Sequence, residues 1–160
     1  MRENKKMKTF TKWFIINAII FTASIGGFQQ GVFHTIVEND ASYIGLASML
    51  LYIAFSLYLG KIAWLIDKDP DNKEINHKLQ PAYFMADNFL YLGLLGTTAG
   101  LAYTIMKALP LAQGGDTGEF IKQLMNGVGR TLYTTICALG CTILLSVQLF
   151  IVSRNLKTNE

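Results

Sequence analysis

The sequence predicts an all-α membrane protein whose chain crosses the bilayer four times. Of its 160 residues, 51% are hydrophobic and 16% are charged, whereas soluble domains usually carry about 25% charged residues. Four stretches contain no charged residue: 21 residues after Lys12, 20 after Asp40, 19 after Asp87 and 23 after Arg130. A helix needs roughly 20 residues to cross a hydrocarbon core of about 30 Å, so each stretch is long enough for one span.

The first two helices are predicted over residues 13–33 and 43–66. A basic start followed by an apolar stretch is also typical of a signal peptide, but this stretch is long for one and three further spans follow it. The polar, proline-bounded segment 67–81 is predicted to be a cytoplasmic loop. The third helix is expected over residues 82–108.

The fourth helix is predicted over residues 117–153, and Asp116 followed by Glu119 matches a capping box at its start. A continuous helix of this length would measure roughly 50 Å, which exceeds the thickness of the hydrocarbon core. Two arrangements are therefore open. Either the first turns lie at or outside the membrane interface, or a separate helix breaks near Gly127 and Gly129.

The distribution of lysine and arginine predicts that both termini of this membrane protein are cytoplasmic. Five basic residues precede the first helix, and three lie in the segment 67–81, whereas the segments 34–42 and 109–118 contain none. A basic cluster beside a span indicates topology or contact with anionic lipid, so we expect the lipid bilayer, and no nucleic acid, as its partner.

The sequence contains no signature of an enzyme, a metal site or a cofactor site. Cys137 and Cys141 lie one helical turn apart, lack further metal ligands nearby and have poor geometry for a disulfide, so we expect them to pack as small apolar residues. An intramembrane enzyme is an alternative only because such sites can consist of few residues.

Small and hydroxyl-bearing residues form a stripe on each of the last two helices. The stripes consist of Gly93, Thr97, Gly100 and Thr104 on the third helix and of Thr131, Thr135, Ala138 and Thr142 on the fourth. One interpretation is helix packing, because small residues let helices approach closely and Gly96 with Gly100 forms a G-x-x-x-G pattern. The other is an ion path lined by the threonine hydroxyls. Both can hold on different faces of one helix.

Residues 90–101, LYLGLLGTTAGL, and residues 127–140, GVGRTLYTTICALG, resemble the last two spans of the MotA/TolQ/ExbB proton-channel family. The resemblance covers about residues 88–150. It implies a ring of this chain, typically a homopentamer, around a dimer of single-span partners of the MotB/TolR/ExbD kind. It also implies a molecular motor driven by ion flow, with Thr97 and Thr135 at the pore by motif match.

Two features depart from this family. Arg130 stands where ExbB-like members have a glutamate, and it is expected either to reach the outer interface or, if it faces the pore, to oppose cations. The segment 67–81 is too short for the large cytoplasmic domain of flagellar stators. Asp87 is either a second charged modulator or a residue of the headgroup layer. The alternative function is a holin-like pore-forming or assembly factor without an ion-driven cycle.

Overall fold

The protein consists of four long helices in a computed structural model that describes residues 8–31, 34, 43–69, 74–115 and 117–156. The helices are α1 (Thr9–Gln29), α2 (Ile44–Lys68), α3 (Ile75–Gln113) and α4 (Thr117–Leu156). No strand occurs among the described residues. The predicted all-α class is therefore confirmed.

Each of the four helices contains a stretch that is long and apolar enough to cross a membrane. The 21 residues of α1 and the 25 of α2 correspond to about 30–40 Å of helix, close to the thickness of one hydrocarbon core. The 39 residues of α3 and the 40 of α4 correspond to about 60 Å, so these two helices project beyond the hydrocarbon. The chain is a multi-pass membrane protein, as the charge-free stretches predicted.

The helix α3 begins at Ile75, within the segment 67–81 that its polarity predicted to be a loop. The reason is a buried stripe, since Ile75, Leu79 and Ala82 recur once per turn and are each at most 2% exposed. Pro81 lies inside the helix, which continues through it although proline lacks an N–H group. The first turns of α3 therefore replace the second half of the expected loop.

The helix α4 is continuous over its whole length and shows no break at Gly127 or Gly129. Of the two arrangements left open by the sequence, the structure has the single long helix. Glu119 lies in its first turn, whereas Asp116, the other member of the expected capping box, lies outside the described residues.

The main hydrophobic core lies at one end of the bundle, where α1 and α3 begin and α2 and α4 end. Its members are Trp13, Leu59, Ile62, Ala63, Ile66, Ile75, Leu79, Ala82, Ala86, Phe89, Cys141, Leu145, Leu149 and Val152. Away from this end α1 is barely covered, because only 6% of its apolar window is buried inside the chain. Most of the surface of α1 is therefore exposed on the outside of the bundle.

Asp67, near the end of α2, holds the start of α1. The backbone N–H of Thr9 donates to Oδ1 of Asp67 at 2.8 Å, and that of Phe10 donates to Oδ2 at 2.9 Å. The first amides of a helix have no partner within the helix, and its positive end favours a carboxylate. The indole of Trp13 packs on Gly60, where an added Cβ would lie 2.5 Å from the ring. These contacts fix the beginning of α1 against α2.

Candidate functional site

The helices α3 and α4 pack in antiparallel fashion through three glycines of α3. An added Cβ would lie 2.7 Å from Cβ of Ala138 at Gly93, and 2.5 Å from a methyl carbon of Thr131 at Gly100. Gly96 meets Thr134 in the same way. Since real Cβ atoms do not approach other atoms this closely, only glycine permits this separation of the two helices, and the small residues of the sequence stripe lie in their contact.

Thr97 and Thr135 lie next to each other across this contact, near the middle of α3. Their hydroxyl groups form a hydrogen bond. The hydroxyl of Thr97 also donates to the carbonyl of Gly93 at 2.9 Å, in its own helix. Both side chains are half-buried, so the pair lies at the edge of the helix contact and not in its centre.

The other three threonines of the stripes differ in their exposure. Thr104 and Thr131 are buried, with 8% and 2% exposure, and each donates to a carbonyl of its own helix at 2.9 Å. Thr142 is half-buried and donates to the carbonyl of Ala138 at 3.0 Å. Within one chain, Thr104 and Thr131 belong to the packed contact, whereas Thr142 is half-buried like Thr97 and Thr135.

Asp87 and Arg130 are both exposed and far apart. Arg130 precedes Thr131, which faces Gly100, and Asp87 lies thirteen residues before Gly100, or about 20 Å along the axis. The two charges therefore cannot pair within one chain. Arg130 is separated from Thr135 by five residues, about 7.5 Å along α4, on the side of the turn between α3 and α4.

A cluster of hydrogen-bonded side chains joins α1, α2 and α4, and it is absent from the features that the sequence predicted. Its centre is Gln148, which is 1% exposed. Its amide Nε2 donates to the hydroxyl of Tyr52 at 2.8 Å and to Oδ1 of Asn17 at 3.2 Å. Its Oε1 accepts from the hydroxyl of Ser56 at 3.0 Å and from the indole N–H of Trp13 at 3.3 Å. We call these five residues the Gln148 cluster.

One signal in the sequence could have revealed this cluster. Gln148 is the only amide side chain between Arg130 and Arg154, and an amide within a membrane span needs hydrogen-bond partners from other helices. Which residues supply them depends on how the helices pack, because Asn17 and Ser56 are distant in sequence. Cys137 and Cys141 are both buried free thiols, a position that suits small packing residues.

Fold and site together define a four-helix, multi-pass membrane protein with a glycine-packed α3–α4 pair that carries a hydroxyl pair at its edge. Comparison of the chain with protein families, with curated protein sequences and with solved structures finds no match. The resemblance to the MotA/TolQ/ExbB family therefore rests on the two short motifs in α3 and α4.

Proposed function

We propose that this chain is the ring subunit of an ion-driven channel or motor in the inner membrane, with both termini in the cytoplasm. In this proposal a homopentamer surrounds a single-span partner of the MotB/TolR/ExbD kind. One observation carries the proposal: the two threonines that the motifs assign to the pore, Thr97 and Thr135, are adjacent and half-buried.

A pair of hydroxyl groups at the edge of a helix contact suits an ion path. Burying an unpaired hydroxyl costs about 1–3 kcal/mol, so threonines in a membrane normally bond to their own helix. Thr97 already has that bond, to Gly93. Its oxygen and that of Thr135 keep acceptor sites that can hold water or an ion. In a ring, each copy would turn this edge of its α3–α4 contact toward the central axis. The hydroxyls of Thr97 and Thr135 from all copies would then line the lumen near the middle of the span.

The arrangement of the helices favours the α3–α4 pair, and not α1, as the wall of the lumen. The contact between α3 and α4 is the most extensive of the fold, and glycine packing makes it close. The exposed face of α1 consists largely of phenylalanine and isoleucine, which suits contact with lipid chains. Thr142 then belongs to the same lumen, whereas Thr104 and Thr131 hold the wall together.

Valine substitution tests the ion path, because valine keeps the shape of threonine and removes its hydroxyl. We expect the double variant Thr97→Val/Thr135→Val to assemble like the parent but to lose at least tenfold in proton flux. The complex is purified with its partner and reconstituted in proteoliposomes that enclose a pH-sensitive dye. The measurement is the rate of proton uptake into these vesicles. Thr98→Val is the matched control, because Thr98 is exposed and its hydroxyl bonds to the carbonyl of Leu95 in the same helix.

Normal flux through the double variant would overturn the assignment of the pore. Release of an enclosed organic dye by the parent would instead support the alternative, a holin-like pore without an ion-driven cycle.

Fusion of a reporter to the C-terminus tests the orientation of the chain. The reporter should be protected from reagents outside the cell, and its reaction with such reagents would contradict the proposed topology.

A further inference from the structure

A groove of about 1410 Å³ lies between α1, α2 and α4, and it is open on one side of the bundle. It extends from Phe10 to Phe28 on α1 and from Met49 to Trp64 on α2. The latter distance is fifteen residues, or about 22 Å of helix, which exceeds the roughly 15 Å depth of one leaflet of hydrocarbon. The groove is long enough for a lipid acyl chain that lies parallel to the helices.

The lining of the groove is apolar apart from a few side chains. The polar ones among its described residues are Asn17, Ser24, Tyr52, Ser56 and Lys61. Three of them belong to the Gln148 cluster, and the hydroxyl of Ser24 donates to the carbonyl of Ile20 at 2.8 Å. The neutral polar groups are therefore hydrogen-bonded within the chain. Lys61 is the only charged residue among the described residues of this lining.

An apolar groove of this size requires an apolar occupant. Water would find few hydrogen-bond partners along it, and a void would lose the dispersion contacts of its walls. Space is available even at the helix backbones, because an added Cβ at Gly27 or Gly140 would meet no other atom of the chain within 4 Å. The helices that line the groove are long and apolar enough to cross a membrane, so a lipid chain is the apolar occupant that their surroundings supply.

Lys61 supplies the charge that selects among lipids. It lies one turn before Trp64, at the end of the groove where α1 begins and α2 ends. Lysine keeps its ammonium group at the membrane surface while its methylene chain lies along apolar surface. The carboxylate of Asp67, six residues later on α2, accepts hydrogen bonds from the amides of Thr9 and Phe10. The ammonium group of Lys61 is therefore positioned to bind the phosphate of an anionic headgroup.

We infer that the groove is a binding site for one anionic phospholipid. The phosphate binds Lys61, and an acyl chain lies between α1, α2 and α4 over the Gln148 cluster. This inference requires only that the helices lie in a bilayer, and it is independent of the ion path. A basic residue at a membrane surface favours anionic lipid by about fivefold, the factor that corresponds to about 1 kcal/mol.

The two tryptophans of the chain both line this groove, so their fluorescence reports the lipid directly. Trp64 is 50% exposed and would also sense bulk lipid, whereas Trp13 is 9% exposed. In a Trp64→Phe background, Trp13 is therefore a reporter for the groove. The protein is reconstituted in vesicles of phosphatidylcholine and phosphatidylglycerol in which one or the other lipid carries brominated chains, and quenching gives their relative binding constant.

We expect phosphatidylglycerol to be preferred about fivefold at Trp13, the factor given by one basic residue. Lys61→Gln should abolish the preference, while Lys107→Gln, at the opposite end of the bundle and against Tyr103, should keep it. Gly140→Leu should fill the groove and reduce quenching by both lipids. Equal quenching by the two lipids in the parent, or an unchanged preference in Lys61→Gln, would overturn the site. Undiminished quenching in Gly140→Leu would overturn the position of the acyl chain.

Discussion

Replacing Gln148 by leucine should destabilise the fold, although the two side chains are similar in size. Leucine has about the volume of glutamine, so the change removes hydrogen bonds with little effect on packing. Gln148 forms four of them, to Trp13, Asn17, Tyr52 and Ser56. The helices α1 and α2 therefore lose their common partner on α4 at once.

The expected loss follows from these bonds. A hydrogen bond between membrane helices contributes about 0.6 kcal/mol on average and about 1.7 kcal/mol at most, less than its strength in hydrocarbon suggests, because the unfolded chain in the membrane also finds partners. Four bonds of average strength give about 2.4 kcal/mol. The hydroxyl of Ser56 shares its one proton between Gln148 and Asn17, and it keeps the bond to Asn17 at 2.8 Å, so these two groups are not left unpaired. We expect Gln148→Leu to lower the free energy of unfolding by about 2–3 kcal/mol.

Unfolding in mixed micelles of dodecyl maltoside and sodium dodecyl sulfate, followed by tryptophan fluorescence, measures this change, since Trp13 belongs to the cluster. The matched control is Ser146→Leu, two residues earlier on the exposed side of α4. It should change the free energy of unfolding by less than about 0.5 kcal/mol. A Gln148→Leu protein as stable as the control would refute the account of the Gln148 cluster.

Two further substitutions test the packing of the helices by the same unfolding measurement. Asp67→Asn removes the charge at the start of α1 and should cost about 0.5–1 kcal/mol, whereas Asp69→Asn, which is exposed, should have no measurable effect. Equal stability of these two variants would argue against the cap. Gly100→Leu brings a side chain onto Thr131 and should cost about 1–3 kcal/mol, while Gly129→Leu meets open space and should be tolerated. Tolerance of both would contradict the close α3–α4 contact.

The sequence predicted the number and class of the helices because charge is excluded from hydrocarbon over a fixed length. The predicted start of α3 at residue 82 was too late, since the helix begins at Ile75. The polar residues around Ile75 and Leu79 concealed a stripe with one buried residue per turn. The length and polarity of a segment identify a membrane span, but they do not show whether the helix continues beyond the membrane.

The two parts of the site differ in how much of each the sequence predicts. Thr97 and Thr135 belong to the two stripes of small and hydroxyl-bearing residues, and helical periodicity predicts these faces, which meet in the structure. The Gln148 cluster depends on the packing of three helices whose contributing residues are distant in sequence. Helical periodicity gives the face on which a residue lies, and it does not identify the residue opposite.

A cryo-electron microscopy reconstruction of the complex, viewed along the membrane axis, tests the central claim most directly. We expect five copies around a lumen lined by α3 and α4, with the hydroxyls of Thr97 and Thr135 toward the axis and α1 on the lipid side. A particle without a central lumen, or a ring in which α1 lines the lumen and the two threonines face lipid, would contradict the account.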